Sequence, residues 1–183
     1  CGGVAVLGTA TLMTLDAHPG STEPGTDAGP VVVETNRPFP LEIAIVEGII
    51  DGDTYEVKLE RTGQPAHVRL AWMDTPEPAQ PFGAEATDWA EETLLGRRVV
   101  LAVQDVDVYD RLDAQLSVAG DSHIWTVGAT LARLGLAWLE PPYGGDRDSL
   151  REEQTLAQSE QIGLWSQPQP VPSFAQGARS EAH

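Results

Sequence analysis

LEIAIVEGIIDGDTYEVKLERTG, residues 41–63, decides the fold. Two runs rich in Ile, Val, Tyr and Leu flank Asp51-Gly52-Asp53, residue types that tight turns use for backbone reasons, so the stretch reads as two strands joined at that turn. AHVRLAWM, residues 66–73, follows as a third strand, and three strands in succession predict an antiparallel meander. Next comes FGAEATDWAEETLLGRR, residues 82–98. It places Phe82, Ala86, Trp89, Ala90 and Leu94 near helical spacing with Gly96 as a C-terminal stop, which predicts a helix. VVLAVQDV (99–106) and RLDAQLSV (111–118) read as strands four and five, joined by the acidic connection DVDVYD. IWTVGATLARLGLAWL (124–139) and the run from Arg147 to Leu164 read as two further helices. Five short strands and three helices in this order predict an α+β, mainly β, small closed barrel decorated by helices.

The whole chain sets the bounds. Its 183 residues, 41% of them apolar, are enough for one domain with a core plus extensions. Eleven basic against 28 acidic residues give a net charge of −17, a field that repels a polyanion at long range. The acidity lies in the domain itself: residues 41–166 hold 9 lysines and arginines against 23 aspartates and glutamates. A lone cysteine, Cys1, excludes an internal disulfide and a thiolate metal cluster.

Residues 1–40 combine an apolar N-terminal segment with a Pro/Gly-rich linker over 16–40. The start admits three readings: a lipid-modified Cys1, the remnant of a signal segment, or part of a membrane helix. All three lead to the expectation of an extracytoplasmic protein, tethered to a membrane through its N-terminus. The Pro/Gln-rich residues 167–183 read as a disordered tail or an extended arm.

VRLAWMDTPEP, residues 68–78, sets Arg69 among apolar neighbours and ends in Asp74 and Glu77. Each feature alone has an ordinary explanation: a solvated or paired arginine, an Asp that closes a strand, a proline that stops the ladder. Together they say more. Asp53, Asp74 and Glu77 are hard oxygen donors at strand ends, of the type Ca²⁺ accepts, and Arg69 and Arg111 are forks suited to phosphate. A divalent ion, a carboxylate able to take a proton from water and two arginines are the parts that phosphodiester hydrolysis needs.

The ordered motifs IIDGDTYEV, VRLAWMDTPEP, PFGAEA, DVYDR and GLW, between about Leu41 and Trp165, resemble the staphylococcal nuclease (thermonuclease) family. The resemblance implies a five-stranded OB-fold barrel with three helices and calcium-dependent cleavage of DNA or RNA, single-stranded substrates included. It implies Asp53, Asp74 and the Thr75 carbonyl as calcium ligands, and Asp51 as an acid supporting them. Glu77 would activate the attacking water, Arg69 and Arg111 would bind and neutralise the phosphate, and Tyr109 would lie near the nucleotide. Tyr143, in the PPYGG turn, is either a base-stacking residue or a loop aromatic without a ligand. The five tryptophans are expected in the core, and the scattered histidines form no zinc motif.

Two departures stand out. Asp110 occupies a glycine position of the family's pattern, so a left-handed backbone there would fall on an aspartate. Asp105, Asp107, Asp110 and Asp113 crowd Arg111 and compete for its guanidinium. Such acidity keeps a second class of function open: a non-catalytic domain of the same fold, anchored as a scaffold subunit in a membrane-protein complex.

Overall fold

The computed structural model describes residues 41–120, 123–141, 147–168, 170 and 172. The expectations for residues 1–40 including Cys1, for Tyr143 and for residues 173–183 fall outside them. Strands β1 (Leu41–Ile49), β2 (Thr54–Leu59) and β3 (Pro65–Leu70) form the predicted antiparallel meander. β4 (Met73–Asp74) follows, then helix α1 (Gly83–Leu94), β5 (Arg98–Val106) and β6 (Leu112–Ala119). β5 pairs antiparallel with both β1 and β6. The barrel closes where β3 meets β6, a parallel pairing with Val68 opposite Leu112 and Arg69 opposite Asp113. That five-stranded closed barrel with three helices is the expected OB-fold architecture.

The run 124–139 differs from the single helix predicted for it. Only α2 (Val127–Arg133) is helical. Ile124–Thr126 forms β7, an extra strand on β6, and Trp138–Leu139 forms β8, which pairs with β4. Gly135, at φ +64°, breaks the helix between them. Pairing partners supplied by β6 and β4 override a helical period at both ends of the run. The third helix, α3 (Asp148–Glu160), ends at Gln161 in the left-handed region, and a 3₁₀ turn follows over Gly163–Ser166. A side chain at Gly163 would collide with the carbonyls of Leu134 and Gly135, and the Leu164 N–H donates to the Gly135 carbonyl at 2.8 Å. The GLW motif therefore docks the end of the domain on the α2–β8 connection.

Alternation in β2 and β3 orients the functional face. Tyr55, Val57, Val68 and Leu70 point into the barrel, while Glu56, Lys58 and His67 face solvent. Arg69, between Val68 and Leu70, necessarily faces outward. Leu70, Leu101, Leu116, Leu131 and Leu139 are among the largest fully buried side chains and tie the barrel to α2 and β8. The tryptophans are less central than expected: Trp138 is buried, whereas Trp89 and Trp125 meet edge to face at 6.4 Å on the partly exposed rim of the core. No described helix is long and apolar enough to cross a membrane.

Candidate active site

Asp53 closes the turn that precedes β2. Its N–H donates to Asp51 Oδ1 at 3.0 Å, an Asx turn, and its carbonyl accepts the Leu70 N–H at 2.8 Å. Gly52 makes the turn fit, because a Cβ there would lie 2.8 Å from the Ala86 methyl and 2.9 Å from Thr75 Oγ1. With Thr54 opposite Arg69 in the β2–β3 ladder, the Asp53 carboxylate arrives beside the guanidinium: Arg69 Nη1 donates to Asp53 Oδ1 at 3.0 Å. Oδ1 also accepts from Thr54 Oγ1 (3.0 Å), and Oδ2 accepts the Thr75 N–H (2.9 Å).

Asp74 reaches the same guanidinium by a sharp bend. Trp72, with φ +68°, is left-handed although it has a side chain, a conformation that costs about 1 kcal/mol or more. The bend is held on both sides: the Ala71 N–H donates to the Ala114 carbonyl, the Trp72 carbonyl accepts the Glu140 N–H, and the Arg147 guanidinium lies 4.6 Å from the Trp72 ring. Asp74 Oδ1 then lies 3.6 Å from Arg69 Nη2. Glu140, one residue past β8, completes the group with Oε1 at 3.0 Å from the same nitrogen. Sequence reading missed Glu140. The AWLE stretch carries no motif, and 71 residues separate it from Arg69.

Asp53 and Asp74 are buried with only 3% and 7% exposure, and this decides their electrostatics. Burial, opposed by Arg69 and reinforced by Asp51, pushes the Asp53 carboxyl up to about 6. Burial would favour loss of the Arg69 proton, but Asp53, Glu140 and Asp74 outweigh it and raise the guanidinium further above its ordinary value. Burial also raises Asp113, the β6 residue opposite Arg69, with Arg69 opposing and Glu140 adding to the rise. The buried Tyr55 hydroxyl donates to the Gly52 carbonyl at 2.6 Å and braces the turn from inside.

Glu77 is presented differently. Its N–H donates to Gln80 Oε1 and its carbonyl accepts the Gln80 N–H, both at 2.7 Å. A Cβ at Gly83 would collide with the Glu77 carbonyl, so the first residue of α1 packs directly on this turn. The backbone is fixed while the carboxylate is exposed, with no side-chain partner among the described residues. That combination suits a base that must meet a solvent-derived nucleophile.

Arg111 stands at the start of β6, next to Leu112, the parallel partner of Val68. Its Nε donates to Asp107 Oδ2 at 2.7 Å, its N–H donates to Oδ1 of the same residue at 3.0 Å, and its guanidinium lies 5.6 Å from the Tyr109 ring. Tyr109 itself is 77% exposed. Asp110 adopts φ +60°, the left-handed backbone expected of the glycine it replaces. Of the four crowding aspartates, Asp107 takes the Arg111 guanidinium, while Asp105 faces Asp113 across β5 and β6.

The two buried carboxylates, Asp53 and Asp74, are hard-oxygen donors of the type that Ca²⁺ accepts in a site completed by water. Among the described residues no group of three or more His, Cys, Asp or Glu side chains gathers at metal-binding distance.

The profile of the staphylococcal nuclease homologue family matches residues 67–167. The chain is 32% identical over 126 residues to the micrococcal nuclease of Shigella flexneri, covering 66% of this chain and 71% of that protein. It is 32% identical over 140 residues to an Escherichia coli O157:H7 protein named "Uncharacterized endonuclease" (74% and 88%) and 31% identical over 136 residues to the thermonuclease of Staphylococcus intermedius (68% and 76%).

Proposed function

The chain belongs to the staphylococcal nuclease homologue family, and from that membership we propose that it is a calcium-dependent hydrolase of phosphodiester bonds in single-stranded DNA or RNA. The observation that carries the reading is the convergence of Asp53, Asp74 and Arg69, contributed by β2's turn, β4 and β3, at one outward-facing point of the barrel. Calcium, when bound, would supply positive charge to a phosphoryl oxygen and offset the two carboxylates. Asp53, Asp74 and the Thr75 carbonyl would hold it, and Asp51 keeps the Asp53 turn closed. Glu77 takes the proton from the attacking water. Arg69 and Arg111 orient the phosphate and stabilise the charge that grows on its oxygens, after Arg111 leaves Asp107. Tyr109 offers an exposed ring to a base, and the 5′ oxygen departs in line with the water.

An extracytoplasmic setting accords with this chemistry, since free calcium is abundant there and helps offset an acidic protein's repulsion of nucleic acid. The uncharged run over 2–15 and the Pro/Gly-rich segment over 16–40 support a tether to a membrane. A second reading, an anchored scaffold without catalysis, is favoured by one observation: the guanidinium groups of Arg69 and Arg111 are both engaged by carboxylates of the same chain. One assay separates the two. The purified chain is incubated with single-stranded DNA and RNA at low salt, with calcium or with chelator. Cleavage that disappears with chelator and in Glu77→Gln supports the enzyme; no cleavage by the folded protein supports the scaffold.

A further inference from the structure

Arg69 has more carboxylates than it needs. Asp53 and Asp74 already flank the guanidinium, yet Glu140 Oε1 lies 3.0 Å from Nη2. The three carboxylates are unlike. The side chains of Asp53 and Asp74 are 4% and 9% exposed, whereas that of Glu140 is 32% exposed and sits on the open edge of an arginine itself 25% exposed. The Glu140 backbone is pinned by its N–H to the Trp72 carbonyl, so its carboxylate can rotate off Arg69 without moving β8.

We propose that Glu140 sets the charge selectivity of the site, making it favour the monoanionic phosphate of an internal diester over the dianionic phosphate of a chain end. The inference rests on the nuclease reading of the site. A divalent cation offsets the two buried aspartates, and Arg69 and Glu140 then offset one another. An incoming phosphate displaces Glu140 from the guanidinium and meets its charge at close range. A dianion meets twice the repulsion of a monoanion at the same place. Endonucleolytic cutting over trimming from phosphorylated ends follows.

The test compares the full chain with its Glu140→Gln variant, which keeps the shape and an acceptor oxygen for Arg69 but removes the charge. Binding is measured in calcium with thymidine oligomers joined by phosphorothioate linkages, ending either in a 3′-phosphate or in its methyl ester. The charge difference predicts that Glu140→Gln tightens binding of the methyl ester by roughly threefold and of the free phosphate by roughly tenfold. Equal tightening of both probes overturns the selectivity, and weaker binding of both shows that Glu140 positions Arg69 instead. Glu140→Ser serves as a second variant if thermal melting shows the glutamine protein to be damaged. Because the readout is binding, a parent that binds but never cleaves sinks the nuclease reading while the ratio still decides this one. If no variant binds either probe, both fall.

Discussion

The main-chain N–H of Thr75 donates to Asp53 Oδ2 at 2.9 Å across 22 residues of sequence, and this one bond joins the DGD turn to the DTPEP turn. It sets the second carboxylate of the pair at a fixed distance from the first. It also helps a buried carboxylate, 3% exposed, to persist without water.

Burial raises the Asp53 carboxyl to about 6 in the folded protein, against 3.8 as its ordinary value. The folded state therefore binds this proton more tightly than the unfolded one. Its contribution to stability is fully present below about pH 4 and is lost as the pH rises through about 6. In chelator, thermal melts between pH 4 and pH 7.5 should show the parent losing this component while Asp53→Asn does not. A pH-independent difference between the two would contradict the assignment.

Replacing Arg69 by Met leaves Asp53 and Asp74 buried without their cation. The loss should be about 3 kcal/mol in denaturant unfolding in the absence of metal. The proposed calcium ion would take over part of the compensation, so the gap between parent and Arg69→Met should narrow when calcium is added. A gap that calcium leaves untouched argues that the ion does not sit on these aspartates.

Asp110 holds a left-handed backbone, φ +60°, at the exposed tip between β5 and β6. Asp110→Gly relieves that conformation and should stabilise the domain by about 0.5–1 kcal/mol, read as a higher melting temperature. It also removes a negative charge beside Arg111, so single-stranded oligonucleotide should bind more tightly at low salt. Destabilisation would mean that the aspartate side chain contributes more than its backbone costs.

Gly83 packs on the Glu77 carbonyl with no room for a methyl group. Gly83→Ala should shift the Glu77 turn and, if Glu77 is the base proposed above, lower kcat by tenfold or more with a smaller change in KM, because a base displaced by about 1 Å loses its line to the water. Circular dichroism checks that α1 survives. An unchanged kcat would remove Glu77 from the reaction.

Much of the fold was legible locally. The alternation in β2 and β3, the Asp51-Gly52-Asp53 turn and the helical spacing from Phe82 to Leu94 are short-range signals and formed their elements, although the third strand, expected over 66–73, ends at Leu70, before the left-handed Trp72. The same alternation sends Arg69 outward, since Val68 and Leu70 must enter the core. The motif residues Asp53, Asp74 and Arg69 were visible as chemistry, and the structure brings them together.

Other features had no local signal. Strands β4 and β8, two residues each, are too short to show a period, so the run around Trp138 read as helix until β4 supplied its partner. The parallel closure of β3 on β6, the left-handed turn at Trp72 and the arrival of Glu140 at Arg69 all depend on where the barrel seals. Sequence alone determined that Arg69 on β3 faces outward and that Asp53 and Asp74 flank it in the chain, because side-chain direction along a strand is a property of neighbours. Only the tertiary structure decided how much of their charge is already engaged, because ion pairing is settled by distances across the closed barrel.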